Sequence, residues 1–215
     1  MIKNILAVAA LCSVLPAIAA TNLVTDGSFE GAGLAAGTYD DFTGTDLPGW
    51  IALSTIEVRN DVVGTAQDGV DFVELDSTQN SSMATSFNTV KGQTYALTFW
   101  YSGRAASTTY NAAFPGGIVP GSSDGLSVTV AGKTVGLTSP TNTTSDNLWT
   151  AYTTTFVGTG KSMSLLFAAT GTDDSYGSSL DDVSVIAVPE PATMAMMGAG
   201  LLGLLGLGVR RQRRR

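Results

Sequence analysis

"Tyr95-Ala-Leu-Thr-Phe-Trp-Tyr-Ser102" decides the class of fold. Its residues alternate: Tyr95, Leu97, Phe99 and Tyr101 fall on one side, Thr98, Trp100 and Ser102 on the other. Period two over eight residues, rich in aromatic side chains, specifies a half-buried β-strand rather than a helix. The same rhythm recurs along the chain. "GLSVTV" aligns Leu126, Val128 and Val130, and "WTAYTTTF" aligns Tyr152, Thr154 and Phe156. "KSMSLLF" aligns Met163, Leu165 and Phe167, and "LDDVSVIAV" ends the series with Val183 and Val185 facing inward. About ten such runs, separated by Gly, Asn and Asp, predict an all-β fold, an antiparallel β-sandwich.

The two ends depart from this pattern. "MIKNILAVAALCSVLPAIAA" has a lysine near its start, an apolar run and the small-residue pattern Ala17-Ile18-Ala19. It reads as a secretory signal peptide over residues 1–20. The one cysteine, Cys12, lies inside it, so the β-domain, 21–187, is expected to stand without disulfides. The last segment, 188–215, has Pro189, Glu190 and Pro191, an apolar stretch over 192–209 and an arginine cluster over 210–215. Eighteen apolar or small residues are just enough for a membrane-spanning helix, with the arginines on the cytoplasmic side.

Charge follows the same division. The chain carries 18 acidic and 11 basic residues, for a net charge of −7. Six of the basic residues lie in the two end segments, so 17 acidic residues face only Arg59, Lys91, Arg104, Lys133 and Lys161 in the β-domain. A domain of net charge −12 repels nucleic acid and anionic membrane, and no nucleic-acid partner is expected.

The chemistry is narrow. Without histidine there is no Ser-His-Asp arrangement and no His-ligated zinc, and outside the signal there is no thiol nucleophile. A carboxylate-dependent glycoside hydrolase is the one enzymatic route that remains, and the expectation is that the protein is not an enzyme. No cofactor is required, but a structural calcium is expected. The first and last strands of a sandwich lie close, which brings Glu30 toward Asp181 or Asp182. Asp181 shares a face with Val183 and Val185, so it is expected to point inward and to need a cation.

Aromatic side chains mark the second candidate. Trp50 and Trp149 begin strands and are expected to pack, whereas Trp100 lies on the polar face of its strand. It stands beside "GRAASTTYNAAFPGGIVPGSSDG", Gly103 to Gly125, which contains no clear strand. Long loops of this kind often bind ligands. Trp100, Arg104, Tyr110, Asn111 and Phe114 are therefore the expected glycan contacts, an aromatic face with polar groups around it.

Two resemblances follow from these residues. The tail resembles a PEP-CTERM sorting signal: Val188-Pro189-Glu190-Pro191, then the apolar span, then the arginines. That resemblance implies an exosortase as processing partner, a transient inner-membrane intermediate, and a final place at the cell surface or in the matrix of an exopolysaccharide-producing bacterium, in a biofilm setting. The middle is similar to the galactose-binding-like jelly rolls of carbohydrate-binding modules, through "NLVTDGSFE", "LPGW", "DGVDFVELD", "YALTFWYSG", "LWTAYTTTF" and "LDDVSV". That resemblance implies a β-sandwich, often with a calcium near Glu30 and Asp181 or Asp182. The leading expectation is an exported, non-enzymatic protein that contacts exopolysaccharide. The alternative is a structural matrix or adhesion protein that binds no sugar.

Overall fold

The computed structural model describes residues 21–106 and 125–189. The expected signal peptide and membrane span lie outside the described residues, as do Tyr110, Asn111, Phe114, Glu190 and Pro191. No helix among the described residues is long and apolar enough to cross a membrane.

Among the described residues, ten strands form one antiparallel sheet that doubles over into two layers. They are β1 (Thr38–Gly44), β2 (Ile51–Asn60), β3 (Asp71–Glu74), β4 (Ser82–Asn88), β5 (Thr94–Ser102), β6 (Gly125–Val130), β7 (Lys133–Thr138), β8 (Thr150–Val157), β9 (Ser162–Thr170) and β10 (Ser179–Ala187). The order is β7-β6-β9-β4-β2-β3-β10-β5-β8, with β1 paired to β2. The doubling takes place within β2. Its residues Ile51 and Ala52 pair with β4, and Glu57 to Asn60 pair with β3. One strand thus belongs to both layers.

The alternation in "YALTFWYS" is realised as read. Tyr95, Leu97 and Phe99 are buried, and Tyr101 packs against the same core. Facing strands contribute Leu126, Val128, Leu165, Phe167, Val183 and Val185. Rings close the gap between layers: Phe99 of β5 meets Phe167 of β9 edge-on at 4.9 Å, and Phe87 of β4 meets Phe156 of β8 at 6.0 Å. Edge-to-face aromatic pairs of this kind add about 0.5–1.5 kcal/mol beyond area burial. Trp50 packs on Phe29 and Phe167 and is buried, as expected of a packing tryptophan.

The layers do not close between β7 and β8, the two ends of that order. A cleft of about 320 Å³ lies there, lined by Val128, Val130, Val135, Tyr152 and Phe156 among others. The chain ends meet at β10. Leu23 N–H donates to the Val185 carbonyl, and Val183 N–H donates to the Gly27 carbonyl. Gly27 has no room for a side chain, because a Cβ would run into the Val183 carbonyl oxygen.

Candidate functional site

β3 reads Asp-Phe-Val-Glu, and all four residues are buried. Val73 belongs to the core between the layers, so Phe72 and Glu74 point the other way. Loops cover that outer face. Phe72 meets Trp149 edge-on at 5.9 Å, and the Trp149 indole N–H donates to the Thr65 carbonyl.

Glu74 is fully buried and lies at the centre of an ion-pair network. Arg59 bridges the Glu57 and Glu74 carboxylates. Arg104 Nη1 reaches both Glu74 oxygens, at 2.7 and 2.6 Å, and also donates to the Ser175 carbonyl at 3.1 Å. Its guanidinium lies 5.0 Å above the ring of Tyr176. Gly177 N–H completes the shell of Glu74. Burial pushes the Glu74 carboxyl above its usual range, against the pull of the two guanidiniums. Two anions and two cations balance, so the network is electrically closed. It ties β2 and β3 to the segment after β5 and to the loop before β10.

A β-bulge shapes the neighbouring row. Asp181 stands opposite Trp100 and Ser184 opposite Thr98, so Asp182 and Val183 share one place on the partner strand. Asp182 takes a left-handed conformation, φ 47°. The bulge corrects the sequence expectation for Asp181. Leu180, not Asp181, joins Val183 and Val185 in the core, and Asp181 lies on the outer face with Trp100. It is nonetheless buried, because the segment before β3 folds over it. Its carboxylate accepts from Gln67 N–H at 2.7 Å, Asp68 N–H at 3.0 Å and Asp182 N–H at 2.6 Å. Burial raises its pKa to about 7 despite those three donors.

Trp100 is half-buried on that face. Its side chain lies near Asp182, whose carboxyl is raised first by burial and then by nearby Asp68, with Trp100 pulling the other way. Across the strand pair, Ala151 lies opposite Trp100 and Thr153 opposite Thr98, with the two threonine hydroxyls 3.1 Å apart. Ala151 and Thr153 are exposed. The outer face of β5 and β8 is therefore a flat strip with one indole, small neighbours and hydroxyls.

Arg104 does not belong to that strip as a free donor. It is engaged by Glu74, Ser175 and Tyr176. The expected metal set does not assemble either. Glu30 Oε1 accepts from Val70 and Asp71 N–H, while Asp181 and Asp182 are held by other partners. Among the described residues no group of three or more acidic side chains is arranged to hold an ion. What lies beside Glu30 is Asp71, 1% exposed, with burial and then Glu30 raising its pKa. The Leu34 and Gly33 backbone and the Asn60 side chain pull that pKa down again, but neither oxygen of Asp71, nor Oδ1 of its strand partner Asn60, makes a well-formed hydrogen bond.

Sequence reading missed Glu57, Arg59 and Glu74. The available signal was Glu74 itself, an acid between Val73 and Leu75 in "DFVELD", where a buried carboxylate demands a partner.

Comparison with known proteins places these features. A family model described as a protein of unknown function, DUF642, matches residues 22–186. A model of the PEP-CTERM protein-sorting motif matches residues 187–214. No curated protein matches the chain. Among solved structures, a family 61 carbohydrate-binding module in complex with β-1,4-galactotriose is similar at 10% identity, with TM-score 0.46 over 78% of this chain and 99% of that one. A family 35 module from Paenibacillus barcinonensis is similar at 17% identity, with TM-score 0.40 over 71% of this chain and 100% of that one. An arabinose-bound α-L-arabinofuranosidase is similar at 13% identity, with TM-score 0.47 over 77% of this chain and 26% of that one.

Proposed function

The chain belongs to the DUF642 family, and we propose that it is an exported, non-catalytic protein that contacts exopolysaccharide through the outer face of β5 and β8. Its sorting motif implies export, membrane-associated sorting and processing by an exosortase. The observation that carries the sugar reading is Trp100. It is the one tryptophan of three that lies beside exposed, small and hydroxyl-bearing neighbours rather than in packing. An indole presents a broad apolar face to the C–H face of a sugar ring. Thr98, Thr153 and the Asp182 carboxylate stand close enough in register to meet ring hydroxyls. Two of the raised-pKa carboxylates are closed to substrate. Glu74 and Asp181 are fully buried and already hydrogen-bonded.

Affinity electrophoresis in gels containing the producing organism's own polysaccharide tests this. Retardation of the wild type is expected to disappear in Trp100→Ala and to survive in part in Trp100→Phe. Equal retardation of Trp100→Ala removes the assignment. One observation favours a second reading, a matrix protein without sugar binding: Trp100 stands alone, with Trp50 and Trp149 committed to packing. Absence of retardation for the wild type selects that reading.

A calcium role fits only on a revised set. Asp71 and Asn60 offer buried carboxylate and amide oxygens beside Glu30, whose Oε1 already accepts from two backbone N–H groups, and a hard cation would satisfy them. Calcium bound to the native state alone raises the melting temperature. A melt unchanged by chelator, with no metal by elemental analysis, rejects it.

A further inference from the structure

The five basic side chains among the described residues divide into two kinds. Arg59 and Arg104 are buried in ion pairs. Lys91, Lys133 and Lys161 are exposed, and all three lie at one end of the sandwich. Lys91 is in the β4–β5 turn, Lys133 follows the β6–β7 turn, and Lys161 is in the β8–β9 turn. Backbone bonds hold these turns together. Thr89 N–H donates to the Lys161 carbonyl, Gly92 N–H to the Gly158 carbonyl and Gly158 N–H to the Gln93 carbonyl. Lys161, Val157 and Ala131 of the β6–β7 turn line one open groove. None of the three turns contains an acidic residue, in a domain dominated by acids. Two valines stand out of the same end, Val90 at 67% and Val157 at 57% exposure.

The chain leaves the domain from this end. Val188 N–H donates to the Thr94 carbonyl, and Gln93 Nε2 donates to the Val188 carbonyl. The apolar stretch of the tail begins at Ala192. Three peptide steps separate Pro189 from Ala192, a reach of at most about 11 Å. That is close to the Debye length of about 8 Å at physiological salt, so charges at this end feel a charged surface at the start of the span.

We propose that the lysine-bearing end is a docking surface for the anionic bilayer in which the sorting tail is seated. Val90 and Val157 face the interface, and Lys91, Lys133 and Lys161 pair with lipid phosphates. The long-loop end and its buried ion pairs then face away from the membrane while the chain awaits processing. This rests on the reading of the tail as a membrane span. The partner is chosen by charge complementarity and by the shortness of the chain between the domain and the apolar stretch.

The test uses the chain from Thr21 to Arg215, which contains no cysteine because Cys12 is the only one in the sequence. One fluorophore is attached through Val90→Cys at the lysine end, or through Ser145→Cys at the opposite end. Each labelled chain is reconstituted into phosphatidylcholine vesicles with or without 30% phosphatidylglycerol, with acceptor dye on the headgroups. Flotation with the vesicles reports insertion of the tail; energy transfer reports docking. Transfer from position 90 is expected to exceed that from position 145 several-fold in anionic vesicles. It is expected to fall to the phosphatidylcholine level when Lys91, Lys133 and Lys161 are changed to glutamate. A chain that floats but gives transfer independent of phosphatidylglycerol and of the three lysines overturns docking alone. A chain that does not float overturns the membrane tail and docking together. Capture of the lysine end by a soluble anionic polysaccharide, with no lipid dependence, replaces the bilayer by that ligand.

Discussion

The two ends of this sandwich use charge in opposite ways. At the long-loop end, Glu57, Arg59, Glu74 and Arg104 are drawn inside and cancel one another. At the other end three lysines stand in solvent without acids in their turns. Both ends are built from connections between the same strands. The difference is depth: a buried charge is fixed by its partners and serves architecture, while an exposed one remains open to an external partner. The lysine end therefore tolerates substitution, and the loop end does not.

The strongest challenge to that contrast is Glu74→Ala, which leaves two buried guanidiniums without their shared carboxylate. Urea denaturation is expected to show a loss of about 3–5 kcal/mol. Lys133→Ala is expected to stay within about 0.5 kcal/mol of wild type. Equal losses would erase the distinction between the ends.

The next effect is a pH dependence. The shifts of Asp26, Asp41, Asp71, Glu74, Asp76, Asp181 and Asp182 are all upward, with burial the leading cause. A raised folded-state pKa means that the native state binds the proton more tightly than the unfolded chain. The favourable contribution is then fully present below the unfolded pKa, near 4, and is lost as pH rises through the folded one. For Asp181 that window runs from 3.8 to about 7, and it is worth at most about 4 kcal/mol. Melting temperature is expected to fall from pH 4.5 to pH 7.5, and Asp181→Asn is expected to flatten part of the slope. A melt that rises with pH instead would assign these carboxylates to charge-stabilised sites.

The smallest expected effect belongs to the lysine end. Ala131 and Gly132 form the two-residue β6–β7 turn with φ 53° and 73°, the pair of positive values that defines a type I′ turn. Asparagine tolerates that conformation better than alanine. Ala131→Asn is expected to raise stability by about 0.5 kcal/mol in thermal melts, without altering glycan or lipid binding.

Much of the fold was legible because period two survives in strands with one wet face. Tyr95, Leu97 and Phe99, like Met163, Leu165 and Phe167, went where alternation put them. Asp181 did not, since a bulge at Asp182 shifts the phase by one residue and leaves no mark in a hydrophobic pattern. The partners of Glu74 could not be read for another reason. The members of the ion-pair network are separated by up to 47 positions, from Glu57 to Arg104, and meet only after β2 has crossed between layers. Of the candidate site, Trp100 was found on the expected face, Arg104 was found paired with Glu74, and Tyr110, Asn111 and Phe114 lie outside the described residues.

The exit of the chain from β10 has a mechanical consequence. β10 runs beside β5 from Ser179 to Ala187, antiparallel and hydrogen-bonded, and β5 carries Trp100. A pull between the tail and a ligand held at Trp100 acts along those two strands in opposite directions. The ladder is then loaded in shear, and its bonds must yield together rather than one after another. β3 grips the far side of β10 near Ser179, and Leu23 bonds to it near Val185. Placing the tether on an interior strand makes the domain a force-bearing link.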